Sequence, residues 1–306
     1  YGVTLIPLVC LYMSQLRGIL TSSFIEQKVV RLMNEEVQSV ATDTSMDEVI
    51  EILREENCGT VIVENENDEV LGILSERDVL LKPIDWEKST AKDIMTPSPQ
   101  VIRKTGSIAR ALHMMSIGGY RHLPVVHRQR YVEGMLSVKD VVAHIYGLLL
   151  KHHIGEQCER VGDKKPIQKY FCSTVEIFKL ETPSLMSASA SVHDVLQVLK
   201  TMKSGAIMLV DEAKQLLGIF TDRDFIQNVA GKPMDRKAVP ISTYMTENPI
   251  FASPHETVHE VYHKLSDGGF RHLPIVDEGK ILGMLSIKDF LDVLVRELLE
   301  ELEKSK

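Results

Sequence analysis

The 306 residues suffice for two ordinary domains, and 44% hydrophobic with 25% charged residues is a globular composition that excludes a disordered or collagen-like chain. The 35 basic against 43 acidic residues give a formal charge of −8, so the chain lacks the broad positive field that sequence-independent nucleic-acid binding needs. An anionic ligand would have to be held by a local cluster of donors working against the overall field.

The stretch from Tyr1 to Leu16 is uncharged and largely apolar. It is shorter than the ~20 residues of a spanning helix. Pro7, Ser14 and Gln15 interrupt it, and it lacks the basic start of a signal peptide. A packing segment is expected here, with Met13 a candidate start and no membrane anchor. A helix is expected around Ile25 to Val37. Cys10, Cys58, Cys158 and Cys172 are scattered without a CxxC. That spacing suits neither a disulfide framework nor a zinc site, and a reducing cytoplasm is the expected compartment.

From Val37 the chain repeats itself four times. The first unit opens on Ser45-x-x-Glu48, a capping box in which hydroxyl and carboxylate satisfy the orphan amides of a helix start. Val49, Ile52 and Leu53 follow at helical spacing, then the β-run Thr60 to Val63 and a polar turn from Glu64 to Asp68. A second strand ends in Gly72-Ile-Leu-Ser-Glu-Arg-Asp78, where another helix begins. The second unit starts at Ser107, with Arg110 in place of the acid. It continues through His122 to Val126 and Gly134-Met-Leu-Ser-Val-Lys-Asp140 into a helix over Val138 to Ile145. A linker with Gly155, Gly162 and Pro166 is expected next. The third unit has Ser191-x-x-Asp194, the run Ala206 to Val210 and Gly218-Ile-Phe-Thr-Asp-Arg-Asp224. The fourth has Thr257-x-x-Glu260, His272 to Val276 and Gly283-Met-Leu-Ser-Ile-Lys-Asp289. From helix start to terminal Asp the distance is 33 residues in three units and 32 in the fourth. Each unit therefore reads as strand, helix, strand, strand, helix.

The units alternate in kind. The second and fourth share Gly-aromatic-Arg-His-Leu-Pro (Gly119 to Pro124, Gly269 to Pro274), preceded by Met95-Thr96 or Met245-Thr246. The first and third carry Cys58-Gly59-Thr60 and Ser204-Gly205-Ala206 there instead. A duplicated pair explains this. The expected organisation is an N-terminal segment and helix (1–36), a first pair (37–150), a linker (151–176), a second pair (177–296) and a helical tail (297–306).

On these four in-register elements, from about Val37 to Val295, the sequence resembles CBS-domain proteins with four repeats arranged as two Bateman modules. The resemblance implies an α+β fold of four βαββα repeats, paired through their sheets, that could close into one intramolecular disc; a homodimer is also compatible with it. It implies clefts for adenosyl ligands, namely AMP, ADP, ATP or S-adenosylmethionine. In repeat number the chain is similar to the nucleotide-sensing gamma subunit of AMP-activated protein kinase, with Arg-His where that subunit has His-Arg.

By themselves, Ser75-x-x-Asp78, Ser137-x-x-Asp140, Thr221-x-x-Asp224 and Ser286-x-x-Asp289 are helix caps. A helix N-terminus also offers free amides and positive potential to a phosphate, and an acid there can accept ribose hydroxyls. The resemblance assigns Asp78, Asp140, Asp224 and Asp289 to ribose. It assigns Ser75, Ser137, Thr221 and Ser286, with Thr96 and Thr246, to sugar or phosphate contacts. Arg121, His122, Arg271 and His272 precede the buried strands, and the resemblance assigns them to phosphate, for which a guanidinium fork is suited. Pro124 and Pro274 cannot donate to a ladder, so their strand edge should face something other than a neighbouring strand, and the resemblance implies a stacked base there.

His255-Glu256-x-x-His259 matches a zincin pattern, but Thr257 is the expected N-cap, so the two imidazoles should not share a helical face. No metal and no catalytic group is expected. The expected function is non-catalytic sensing of an adenosyl ligand, with an unknown protein partner. The alternative is an interaction scaffold with vestigial clefts, docking through the tail Leu298 to Glu303 or the N-terminal helix.

Overall fold

The computed structural model describes residues 27–127, 130–151, 170–180 and 182–304. The apolar N-terminal stretch, Met13, Cys10, Cys158 and most of the expected linker lie outside these. The first repeat comprises β1 (Ser39–Ala41), α1 (Met46–Glu55), β2 (Thr60–Glu64), β3 (Val70–Ser75) and α2 (Glu76–Leu81). After α3 (Ala91–Ile94) and β4 (Thr96–Pro97) come α4 (Ile108–Gly118), β5 (His122–Val126), β6 (Val132–Ser137) and α5 (Val138–Lys151) of the second. The third has β7 (Leu185–Ser187), α6 (Val192–Met202), β8 (Ala206–Val210), β9 (Leu216–Thr221) and α7 (Asp222–Asn228). After β10 (Thr246–Glu247), the fourth has α8 (Val258–Asp267), β11 (His272–Asp277), β12 (Lys280–Ser286) and α9 (Ile287–Lys304).

The helix starts follow from the caps. The hydroxyls of Ser45, Ser107, Ser191 and Thr257 accept from the amides of Glu48, Arg110, Asp194 and Glu260 at 3.1–3.3 Å. Capping needs only the hydroxyl, so Arg110 in place of an acid does not move the second start. All four hairpins keep one register, pairing Thr60 with Ser75, His122 with Ser137, Ala206 with Thr221 and His272 with Ser286.

The prolines divide the repeats. Ile62 and Met208 donate their amides to Gln38 and Ser184, extending a parallel leading strand beside β2 and β8. Pro124 and Pro274 occupy the same register position and have no amide hydrogen. The leading segment there shrinks to one parallel bridge, Ile102 with Val125 and Ala252 with Ile275. The segments before repeats two and four instead cross to the preceding repeat, β4 lying against β3 and β10 against β9. Gly72 and Gly218 permit the approach: a Cβ on Gly218 would sit 2.9 Å from Met245 Cγ and 3.1 Å from Thr246 O.

The helix expected around Ile25 to Val37 does not form over its described part. A single 3-10 turn, Val29–Arg31, stands there. The amides of Val29 and Val30 donate to Gly106 and Lys104, Asn34 bridges Met135, and the Val29 side chain is fully buried. Pairing with a loop and the edge of β6 satisfies the backbone that a helix would have satisfied internally.

Four apolar clusters organise the repeats. Ile62, Val70, Val126 and Met135 join the sheets of repeats one and two, and Met208, Val210, Val276 and Ile281 join those of three and four. The two larger clusters run between pairs. One joins the helices of repeats one and three, with Leu53 and Phe220 fully buried, and the other those of two and four around Leu112 and Phe290. Helix α2 packs on α6 and α7, and α9 on α4 and α5. Arg54 of α1 donates Nε to the carbonyl of Ile226 on α7 at 2.7 Å.

Among the described residues no helix is long and apolar enough to cross a membrane. Cys58 is a free thiol, whereas Cys172 is disulfide-bonded, contrary to the reading from spacing. Separation along a sequence does not set separation in a fold.

Candidate functional site

The second helix of each repeat begins where a strand ends, and its terminal Asp folds back onto the cap. Asp140 Oδ2 accepts from Ser137 N at 2.8 Å and Oγ at 2.6 Å, and Asp289 Oδ2 from Ser286 N at 2.6 Å and Oγ at 2.8 Å. Nothing else among the described residues bonds Oδ1 of either, so one carboxylate oxygen is available on each. The odd repeats differ. Asp78 Oδ1 accepts from Thr96 Oγ1 at 3.1 Å and pairs with Lys82 Nζ at 2.8 Å, while Asp224 Oδ1 accepts from Thr246 Oγ1 at 3.3 Å. Thr96 and Thr246 thus meet the Asp of the preceding repeat, carried there by β4 and β10. Burial raises the Asp224 carboxyl above its ordinary range, against its hydrogen bonds to Thr221 and Thr246.

Asp140, Asp224 and Asp289 line cavities. A cavity of about 390 Å³ holds Ser137, Asp140 and Lys139 on one wall and Gly59, Thr60 and His122 on the other. A second, of about 380 Å³, holds Ser286 and Asp289 opposite Ser204, Gly205 and His272. The third, of about 360 Å³, places Thr221, Asp224 and Thr246 near Ile250, Phe270 and Arg271. These volumes fall in the range of small-molecule sites. Each cavity sets the Asp end of one repeat against the strand entrance of its sheet partner.

The Arg-His pairs converge on the junction between modules. Arg271 hydrogen-bonds Glu76, and Arg121 Nη2 lies 3.6 Å from Asp222 Oδ2. Both carboxylates belong to the other module and are 1% exposed, which places these ion pairs inside the protein. Arg223 Nε stands 3.5 Å from Glu76, and among the described residues neither Arg223 Nε nor Asp222 Oδ2 has a hydrogen-bond partner. Burial drives the Glu76 carboxyl up, more than Arg271 and Arg223 draw it down. At Asp222 burial acts in the same sense, but Arg271, Arg121, His272 and Arg77 outweigh it and hold the carboxyl below its ordinary value. Gly59 and Gly205 make room: a Cβ on Gly59 would lie 3.2 Å from Arg271 Nη1, and one on Gly205 3.0 Å from Asp222 Oδ2.

His122 Nδ1 lies 3.2 Å from Thr60 Oγ1. Burial, with repulsion from Arg121 and Arg271, lowers His122 to about 3. Burial also leads at His272, against Asp222 and with the neighbouring arginines, and the value falls to about 4. Both imidazoles are neutral at pH 7, hydrogen-bonding groups rather than cations.

The acids at the centre were not singled out from sequence, although a signal existed. The residue after the cap is Glu76 or Asp222 in odd repeats and Val138 or Ile287 in even ones. The acid accompanies the strand-entrance glycine of its own repeat, and the arginine stands in the other kind.

The zincin-like pattern separates as its cap requires. His255 lies before the helix, 3.9 Å from Asp277, while His259 on α8 meets the Tyr146 hydroxyl at 2.6 Å.

The CBS domain family matches residues 29–84, 91–147, 182–231 and 241–296. The uncharacterized protein MJ1225 of Methanocaldococcus jannaschii is 29% identical over 207 residues, covering 66% of this chain and 69% of that protein. Its crystal structure, presented as that of a proposed archaeal homolog of g-AMPK, matches with a TM-score of 0.73 at 16% identity, over 88% of this chain and 100% of that one. An uncharacterized conserved protein of Pyrococcus horikoshii matches with a TM-score of 0.57 at 20% identity, again over 88% and 100%. The CBS domain-containing protein CBSCBSPB1 of Arabidopsis thaliana is 28% identical over 133 residues, which are 44% of this chain and only 24% of that protein. The chain belongs to the CBS-domain family and carries four CBS domains.

Proposed function

We propose that the protein is a non-catalytic regulatory protein that senses adenosyl ligands in the clefts between its CBS repeats. The observation that carries this reading is that Asp140 and Asp289, each with an Oδ1 unbonded among the described residues, line cavities of nucleoside size beside a helix N-terminus. A carboxylate with one oxygen fixed by its cap and the other open is preorganised to accept ribose hydroxyls. The presentation of MJ1225 as a g-AMPK homolog agrees with an energy-sensing role.

A ligand in such a cleft touches both repeats of a module, and the buried ion pairs connect those repeats to the other module. Preferential binding to one packing of the modules would transmit occupancy to a protein partner. Thermal shift of the full chain with AMP, ADP, ATP and S-adenosylmethionine tests the reading. At 100 times Kd a ligand adds about 2.7 kcal/mol, a rise of several degrees that Asp140→Ala and Asp289→Ala together should abolish. No shift with any of the four at millimolar concentration overturns it.

A further inference from the structure

We infer that the clefts are specialised by charge: the one at Asp140 takes an adenosyl ligand without phosphate, and the one at Asp289 takes a phosphorylated one. This rests on the adenosyl reading above. In the Asp140 cleft, the carboxylates of Glu36, Glu56 and Asp140 face one ammonium, Lys139. The arginine of this repeat does not offset them, because Arg121 turns to Asp222 at the module junction. His122 contributes no charge at neutral pH. A phosphate here would meet repulsion from three carboxylates, whereas an uncharged nucleoside or a sulfonium would not.

The Asp289 cleft is built the other way. Arg77 and Lys179 line it, and of its two acids Asp292 is already paired with Lys288. Arg77 comes from repeat one, in the other module, and is anchored by a hydrogen bond to the carbonyl of Lys203. A phosphate bound in this cleft would therefore meet a cation from across the module junction, and an uncharged nucleoside would not use it. The two clefts would report different pools: one the nucleoside or sulfonium, the other the nucleotide.

Isothermal titration of the full chain with adenosine and with AMP tests this, using Asp140→Asn and Asp289→Asn, which keep the size of the capping side chain; circular dichroism checks folding. Asp140→Asn should remove the adenosine signal and keep that of AMP, and Asp289→Asn should do the reverse. A second variant, Glu36→Gln with Glu56→Gln, alters only exposed side chains. In the Asp289→Asn background, where AMP otherwise gives no signal, it should bring AMP binding at the Asp140 cleft into the measurable range and leave adenosine unchanged. If AMP binds the Asp140 cleft at least as tightly as adenosine, the charge specialisation is wrong and the adenosyl reading stands. If neither compound binds the wild-type chain, both fall.

Discussion

Arg121 of the second repeat stands 3.6 Å from Asp222 of the third, across the junction between modules, and the acid is 1% exposed. Arg271 of the fourth repeat makes the equivalent bond to Glu76 of the first. Sheets join repeats one to two and three to four, helices join one to three and two to four, and these ion pairs join the remaining diagonals. All six pairings of the four repeats are thus made, two by sheets, two by helices and two by these ion pairs. The diagonals are held by buried ion pairs, and Glu76 also pairs with Arg223 across repeats one and three, so these carboxylates answer most directly to mutation and to pH.

Breaking one member of a buried pair leaves the other charge without compensation, a loss of about 3–5 kcal/mol. Arg121→Met should lower stability to urea by an amount in that range, and Asp222→Asn by a comparable one. The double variant should lose clearly less than the sum, because no buried charge is then stranded. Additive losses would show that the two residues do not interact in solution.

The central imidazoles set an acid limit. His122 and His272 have folded values near 3 and 4, below the unfolded 6.5. A depressed base takes up its proton in the unfolded chain first. Its contribution is complete above pH 6.5 and is lost as pH falls toward 4. At pH 5 the loss is about 1–2 kcal/mol for each imidazole. Glu76, whose carboxyl burial holds high, works in the opposite sense over part of this window and offsets some of it. Melting temperature should fall between pH 7 and pH 5, and His122→Gln with His272→Gln should flatten the slope. An unchanged slope in that variant would assign the acid sensitivity elsewhere.

The repeat architecture was legible because it rests on local rules. Ser45, Ser107, Ser191 and Thr257 cap where their hydroxyls predict, and the hairpins share one register because their spacing does. Pro124 and Pro274 weaken their edge as expected, but it keeps one parallel bridge in place of none. What the arginines face was not legible: Arg121 and Asp222 lie about a hundred positions apart, and their meeting depends on how the modules dock. The segment after Gln27 escaped for a similar reason, since its amides are satisfied by Gly106 and Lys104, partners no local pattern announces.

The two Gly-Met contacts explain why Met95-Thr96 and Met245-Thr246 recur with Gly72 and Gly218. A methyl on Gly218 would press on Met245 Cγ and the Thr246 carbonyl, and one on Gly72 on Met95 Cγ at 2.8 Å. Gly218→Ala should cost about 1–3 kcal/mol by overpacking. Met245→Ala in the same chain should recover part of this, as the side chain yields but the carbonyl does not. A neutral Gly218→Ala in thermal denaturation would show that β10 does not lie against β9.

Lys82 distinguishes Asp78 from the other three cap acids. Its ammonium bonds Asp78 Oδ1 at 2.8 Å, the Ile94 carbonyl at 2.7 Å and the Met95 carbonyl at 3.2 Å, pinning the acid to the segment before β4. In the third repeat Asn228 stands at this position, so Asp224 has no such partner. An acid already bonded by an ammonium and by Thr96 has little left for a ribose. Asp78→Asn should therefore leave ligand-induced thermal shifts unchanged, in contrast to Asp140→Asn. Lys82→Met should lower stability by about 1 kcal/mol, the scale of a partly exposed ion pair with supporting hydrogen bonds. It should also open a new weak site, detected as an additional binding event in an Asp140→Asn, Asp289→Asn background. If that event is already present with Lys82 intact, the ion pair does not block Asp78.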